Sequence, residues 1–310
     1  MRRMIISASR RTDIPALYSE WFMNRLRAGY VLVPGIRNPD RLGRVVLSPE
    51  SVDCIVFWTK NPEPMLNILK SIEAMRYFFC FQFTVTPYDC TIEKGLPSTK
   101  RRIDTFQRLS AYIGKKRVIW RYDPIFIDAH HSVQWQIDQF SEMCRMLYSY
   151  TDRCIMSFID LYDNNRSCFR AMTRKEICCI ADTFSKIAAQ YNLPLFTCAE
   201  EIDLSDYGIY HGACIDQTWI EDVIEYPVTA QKDKNQRAAC RCVSSIDIGM
   251  YNTCTQGCLY CYGTSARQAA IRLAATHDPQ SPMIAGWPKG NEIITNRTVP
   301  SQKIRQLSLF

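Results

Sequence analysis

Mostly apolar runs alternate with longer amphipathic segments along the first two hundred residues. Residues 54–58, 77–85 and 154–161 are three such runs, and they are typical of strands buried on both faces. Between the runs, apolar residues recur at helical spacing, as over 133–150. Strands that alternate with helices predict βα units and a parallel sheet. We therefore predict an α/β fold, a full or partial (β/α) barrel.

Polar residues inside the predicted elements carry a weaker signal. Gln82, Thr84 and Thr86 share one strand face at period two, which indicates either the wet end of a barrel lumen or a solvent-exposed sheet edge. The next helix begins with the basic residues 100–102, which we interpret as a solvated face. Residues 173–176 predict a capping box at the start of a later helix, because a threonine stands three residues before a glutamate.

Charged residues stand where several predicted strands end, and in α/β barrels chemistry collects at those ends. The candidate catalytic residues are Arg121, Asp123 and Glu200. The candidate ligand-binding residues in the loops after two further strands are Arg10, Arg11, Asp13 and Lys60. Structural roles stay open, since Asp13 also suits a helix N-cap and Lys60 a solvated loop. The Arg121–Asp123 pair is equally compatible with a tie between two loops.

Near its carboxyl end the chain carries three cysteines at C-x3-C-x2-C spacing. They are Cys254, Cys258 and Cys261, and the aromatic Tyr260 stands directly before the third. One short loop can point three thiolates at a common centre, and Gly257 allows a tight backbone path between the first two. Three soft thiolates suit iron–sulfur chemistry. Part of a zinc site and a chance arrangement in a cysteine-rich chain are the alternatives, although zinc needs a fourth ligand.

This pattern resembles the cluster loop of radical S-adenosylmethionine (radical SAM) enzymes. The resemblance implies that the three cysteines hold a [4Fe–4S] cluster and that SAM chelates the free iron through its amino and carboxylate groups. It also implies a 5′-deoxyadenosyl radical as the reactive product of SAM cleavage, and a main chain around Tyr260 that lies near the adenine. Members usually carry this loop near the start, whereas about 250 residues precede it here.

A strand, the cluster loop and a helix are predicted in that order over 245–251, 254–261 and 264–276. This is the usual order of the first βα unit in a radical SAM barrel. We therefore interpret the chain as permuted, with its last βα unit in the first position and the N-terminal strand 4–7 packed beside it. The residues that would then line the SAM pocket are Arg10, Arg11 and Asp13. Lys60 is a separate candidate for contacting the SAM carboxylate or a substrate anion.

The whole chain is also similar to an uncharacterised bacterial family, domain of unknown function 1848. The stretches that carry this similarity are 7–15, 56–62, 121–124 and 240–262. They cover the chain from end to end. Membership implies the fold and the cluster but names no substrate.

Composition limits the class of protein. Of 310 residues 47% are hydrophobic, so the chain can bury a sizeable core. It has no secretory signal and no apolar stretch of about 18 residues, so we expect a cytoplasmic protein with no membrane span. Fifteen cysteines are more than an intracellular chain needs for disulfides, which favours metal binding. The net charge of +7 is compatible with an anionic substrate or with nucleic acid.

Four further cysteines, Cys198, Cys214, Cys240 and Cys242, fall in or beside a loop-rich insertion at about 198–242. Four thiolates are the ligand count of a second [4Fe–4S] cluster or of a structural zinc site. Independent reduced thiols are the third interpretation, and the sequence does not separate the three. A second cluster would match the auxiliary clusters of many radical SAM enzymes.

The predicted barrel occupies residues 1–276, and 277–310 is predicted to be a polar tail. Its last five residues run from Gln306 to Phe310 and resemble the peptide by which bacterial proteins dock on the DNA sliding clamp. The alternative is an amphipathic end that packs against the barrel.

Two functions follow from these patterns. The first is a radical SAM enzyme that acts on an unknown substrate, nucleic acid being one candidate, with a flavodoxin- or ferredoxin-like electron donor. The second is an iron–sulfur or zinc-binding redox or interaction protein without SAM chemistry.

Overall fold

The computed structural model describes residues 4–297. Its strands are β1 Met4–Ala8, β2 Tyr30–Pro34, β3 Arg41–Val46, β4 Val52–Thr59, β5 Phe79–Thr84, β6 Val118–Ile125, β7 Cys154–Phe158, β8 Leu195–Cys198, β9 Tyr210–Gly212, β10 Ile246–Asp247 and β11 Ile293–Asn296. Its α-helices are α1 Ile14–Leu17, α2 Ser19–Ala28, α3 Leu69–Ala74, α4 Thr99–Ile113, α5 Val133–Leu147, α6 Arg174–Ala189, α7 Gln217–Ile224 and α8 Arg267–Ala274. No helix in this part of the chain is both long and apolar enough to cross a membrane.

Eight strands form one parallel sheet in the order β10-β1-β4-β5-β6-β7-β8-β9. The predicted α/β fold with a parallel sheet is confirmed. A closed barrel is wrong, because β10 and β9 are the two free edges of the sheet. These edge strands contain two and three residues, which leaves little backbone for a closing ladder.

The strand that precedes the cluster loop lies beside the N-terminal strand. Ile6 pairs with Ile246 and Ser7 with Asp247 in parallel register. The strand predicted over 245–251 is shorter than expected, because the Asp247 carboxylate accepts the N–H of Gly249 at 2.9 Å and the chain turns there. The adjacency of β1 and β10 is the one that a permuted order requires, and the permutation itself stays a prediction.

The sheet is buried on both faces, as its apolar strands predict. Phe57 belongs to the core formed with helices α2 to α6, whereas its neighbour Val56 belongs to a second core. In that second core Trp219 and Ile220 of α7 pack against the other face of the sheet, together with cysteines of the segment 213–243. This segment therefore covers the inner face that would be the lumen of a closed barrel.

The segment after residue 276, predicted as a polar tail, begins with residues that pack on the domain. The Trp21 indole donates to the Ser281 carbonyl at 2.9 Å, and Ser281 is fully buried. Farther on, β11 pairs with β3 in a three-stranded sheet with β2. The clamp-like peptide at 306–310 lies outside the described residues.

The predicted capping box at the start of α6 is present. The Thr173 hydroxyl accepts the Glu176 N–H at 3.3 Å, and the Glu176 carboxylate accepts the Thr173 N–H at 2.8 Å. We expect Thr173→Ala to lower the free energy of unfolding by about 1 kcal/mol, because the Glu176 N–H loses its acceptor. Chemical denaturation measures this. Thr183→Ala on the same helix is the control, and an equal loss there would contradict the capping account.

Candidate functional site

One cavity of about 480 Å³ opens at the carboxyl ends of the parallel strands. Its wall includes residues from the carboxyl-terminal halves of β4, β6, β7 and β8, the loop after β1, and both cysteine-bearing segments. The volume lies within the range of small-molecule sites. The strand ends are also where ligands bind in parallel α/β folds, so this cavity is the candidate site.

The cluster loop forms part of the cavity wall. Its cysteines Cys254, Cys258 and Cys261 all line the cavity. A second loop supports it from behind: the Leu259 N–H donates to the Ile92 carbonyl at 3.0 Å, and the Gly95 N–H to the Gln256 carbonyl at 2.7 Å. A Cβ at Gly95 would lie 2.7 Å from that same Gln256 oxygen, so only glycine permits this approach.

The three cysteines of the cluster loop are half-buried, and their thiols are close enough to interact electrostatically. Burial, together with the neighbouring Cys261, raises the pKa of the Cys254 thiol to about 12. Burial likewise raises the pKa of Cys258 and of Cys261. Within residues 4–297 no group of three or more His, Cys, Asp or Glu side chains is arranged to hold a single metal ion.

Glu93 is a buried hub beneath the cluster loop, with 1% of its side chain exposed. Its carboxylate pairs with Lys60 at 3.0 Å and with Arg102 at 2.8 Å, and it accepts the Thr86 hydroxyl at 2.7 Å and the Tyr260 hydroxyl. Although burial opposes ionisation, the two cations hold the pKa of Glu93 below its ordinary value. The hub thus joins β4, the loop after β5, α4 and the cluster loop.

The interpretation of 100–102 as a solvated face is wrong for Arg102, because its side chain is only 1% exposed. It faces the hub rather than solvent, since α4 begins against the loop that carries Glu93. Lys60 also contacts the hub instead of extending into solvent, and its ammonium lies 5.2 Å from the Tyr260 ring centroid. Both cations therefore support the cluster loop through Glu93.

Asp13 lies on the cavity wall but its carboxylate is occupied by the protein. It accepts the Ala16 N–H at 3.0 Å, the Thr59 hydroxyl at 2.7 Å and the Lys60 N–H at 2.8 Å. Burial raises the pKa of Asp13 to about 6. These bonds cap α1 and fasten the loop after β1 to the end of β4.

Two arginines lie against the ring of Trp58 on the cavity wall. The guanidinium carbon of Arg10 is 4.7 Å and that of Arg121 is 5.4 Å from a ring centroid of Trp58. Arg10 Nη2 and Trp58 Nε1 are buried and have no hydrogen-bond partner among residues 4–297. Buried donors without partners are costly unless a ligand completes them, so this part of the wall is suited to an acceptor group.

The remaining candidates divide into two groups. Arg121 pairs with Asp123, which accepts the Ser157 hydroxyl, and all three line the cavity. Glu200 does not line the cavity. The preceding residue, Ala199, has a left-handed φ of 55°, which redirects the chain, and the Glu200 carboxylate accepts the Phe158 N–H at 2.9 Å. Burial raises the pKa of Glu200 to about 7.

Arg11 lies beside the strand before the cluster loop. Its guanidinium donates to the Gly249 carbonyl at 3.4 Å and lies 5.2 Å from the Tyr251 ring centroid. Asp247, which the sequence did not single out, accepts the hydroxyls of Ser7 and Ser9 and the Arg10 N–H at 2.6 to 2.9 Å. It therefore ties the loop after β1 to β10.

A family model described as domain of unknown function (DUF1848) matches residues 5–263, most of the chain. The chain belongs to this DUF1848 family. No curated protein matches this DUF1848 protein. Among solved structures, a putative alpha-L-fucosidase from Bacteroides thetaiotaomicron VPI-5482 is 13% identical, with 51% of this chain and 66% of that chain covered. Its TM-score is 0.23.

In the DUF1848 protein the cavity thus collects most of the residues that the sequence singled out. All seven candidate metal ligands line it, namely Cys198, Cys214, Cys240, Cys242, Cys254, Cys258 and Cys261. So do all of the candidate cofactor-binding residues, Arg10, Arg11, Asp13, Lys60 and Tyr260. Glu93 and Asp247 were missed, because a single carboxylate whose partners lie far away in the sequence carries no pattern.

Proposed function

We propose that this DUF1848 protein is a radical SAM enzyme whose cluster loop holds a [4Fe–4S] cluster through Cys254, Cys258 and Cys261. The observation that carries the proposal is the position of these three thiols on the wall of a cavity at the strand ends. With cluster and SAM bound, the chemistry supplied is hydrogen-atom abstraction by a 5′-deoxyadenosyl radical. The substrate is an unidentified molecule that enters the same cavity.

The donor set of the loop fits such a cluster. It presents three soft thiols and no other ligating side chain of its own, and three thiolates leave one iron of a [4Fe–4S] cluster without a protein ligand. Glu93, a buried carboxylate beneath the loop, is held by Lys60 and Arg102 and is not free to coordinate that iron. A cluster also spreads its ligands over several metal corners, so it does not need the thiols to surround a single ion.

The residues around the loop have separate tasks in this proposal. The unpartnered donors of Arg10 and Trp58 would bind acceptor groups of SAM or substrate. Asp13 and Glu93 would hold the loops in place rather than contact SAM, because their carboxylates are occupied by protein donors. Arg121 and Asp123 remain the candidates for contacts with the substrate.

Packing behind the cluster loop would keep water from the reacting atoms. Tyr260 and Leu259 pack in a small apolar cluster with Tyr88, Phe126 and Phe169. The Tyr88 ring stacks on Phe126 with centroids 4.4 Å apart. A dry, rigid backing of this kind limits side reactions of a reactive species.

Anaerobic reconstitution with iron and sulfide, followed by a SAM-cleavage assay, tests the proposal. We expect 5′-deoxyadenosine and methionine to form when SAM and dithionite are both present, with dithionite replacing a flavodoxin- or ferredoxin-like donor. Omission of dithionite is the control and should stop formation. A fully loaded cluster without any SAM cleavage would instead support the alternative, a metal-binding redox or interaction protein.

A further inference from the structure

Four more thiols come together on the cavity wall from three separate segments. Cys198 ends β8, Cys214 follows β9, and Cys240 and Cys242 follow the loop 231–239. The sulfurs of Cys198 and Cys214 are 2.7 Å apart. The side chain of Cys242 is close enough to those of Cys214 and Cys240 to interact with both. We call these four residues the cysteine quartet.

Backbone donors point at the quartet. The Ile215 N–H donates to the Cys242 sulfur at 3.4 Å, and the Cys242 N–H donates to the Cys240 sulfur at 3.5 Å. Hydrogen bonds from backbone amides to sulfur are one of the ways in which proteins stabilise iron–sulfur clusters. The segment is also fastened locally, since the Gln82 side chain donates to the Cys214 carbonyl at 2.6 Å.

Buried positive charge also adjoins the quartet. Arg121 is 6% exposed and donates through Nη1 to the Cys214 sulfur at 2.6 Å. Arg10, which lies on the Trp58 ring beside Arg121, interacts electrostatically with Cys242 and Cys214. A buried guanidinium is costly unless negative charge compensates it, and neutral thiols do not. Asp123 pairs with Nη2 of Arg121, whereas Nη1 faces the Cys214 sulfur.

We propose that the cysteine quartet binds an iron–sulfur cluster of its own, with Arg10 and Arg121 compensating the charge of its thiolates. This site is separate from the cluster loop and does not depend on the function proposed above. Four cysteine ligands complete a [4Fe–4S] cluster. Four cysteines also complete a structural zinc site. Within residues 4–297, however, no three or more His, Cys, Asp or Glu side chains are arranged around a single ion, which favours a cluster, whose ligands bind separate irons.

Metal analysis of a variant without the cluster-loop ligands tests this site alone. In Cys254→Ala/Cys258→Ala/Cys261→Ala, purified and reconstituted without oxygen, we expect about four irons and four sulfides per chain. Adding Cys214→Ala and Cys242→Ala should remove them. Adding Cys54→Ala and Cys80→Ala instead is the matched control, because that buried pair, with sulfurs 3.8 Å apart, does not line the cavity.

The outcomes separate the two proposals. A triple variant without iron, while the wild type holds about four, would overturn the quartet cluster and leave the cluster loop intact as a site. One bound zinc and no iron would also overturn it. Four irons in both proteins would support the quartet and count against the cluster loop. Circular dichroism of each variant shows whether the fold persists.

Arg121→Gln provides a test that keeps every thiol. In the triple-variant background we expect it to weaken retention of iron against a chelator by about 10- to 100-fold, the usual effect of losing a group that supports metal ligands. Arg153→Gln, an arginine over the Phe196 ring at 5.6 Å, is the control. Equal retention in both variants would overturn the proposed charge compensation.

Discussion

Cys258→Ala is expected to reduce 5′-deoxyadenosine formation to the level of the assay without enzyme. Cys258 is the central ligand of the proposed cluster and pairs through its backbone with Glu93, so its loss removes one of three ligands without disturbing the hub. A cluster held by two thiolates is labile and no longer holds SAM in the geometry for cleavage. Liquid chromatography of anaerobic reactions with dithionite measures the product.

Cys179→Ala is the matched control for this prediction, because Cys179 is exposed on α6 and does not line the cavity. It should retain full activity. Iron analysis adds a second readout, since Cys258→Ala should lose only the cluster-loop iron and keep that of the quartet. Wild-type rates in Cys258→Ala would show that the three thiols do not carry the chemistry.

Much of the sheet could be predicted because its strands have local signals. The run 54–58 lies inside β4 and the run 77–85 contains β5, since continuous apolar residues can only be buried on both faces. Closure could not be predicted from such runs. The prediction of a closed barrel was wrong at the two edge strands. β9 has three residues and β10 has two, and each pairs only because a neighbouring strand positions it. The inner face is instead covered by 213–243, whose irregular sequence gives no such indication.

The candidate site divides in the same way. The rule that chemistry collects at strand ends placed Arg10, Lys60 and Arg121 on one cavity, because strand ends of a parallel sheet share an edge. It did not extend to Glu200, where a left-handed residue redirects the chain. Nor could a pattern distinguish Arg102 from a solvated arginine, because its burial depends on Glu93, which folding brings beneath it.

Glu93→Ala is expected to lower the free energy of unfolding by about 3–5 kcal/mol. The substitution leaves the buried Arg102 and the half-buried Lys60 without their counter-charge, and breaking one partner of a buried pair costs that much. It also frees the Tyr260 hydroxyl, so the cluster loop should lose its support and retain less iron. Chemical denaturation of the apoprotein measures the first effect, and iron analysis after reconstitution measures the second.

Glu63→Ala is the control, since Glu63 also pairs with arginines, Arg101 and Arg108, but at the surface, where such pairs are worth about 0–1 kcal/mol. A sharper comparison is Glu93→Gln/Arg102→Met. Removing both charges should recover part of the stability that Glu93→Gln alone loses, because the cost comes from the uncompensated guanidinium rather than from the missing carboxylate. Strict additivity of the two substitutions would show that Glu93 and Arg102 act independently, and the hub would then not be what holds the cluster loop.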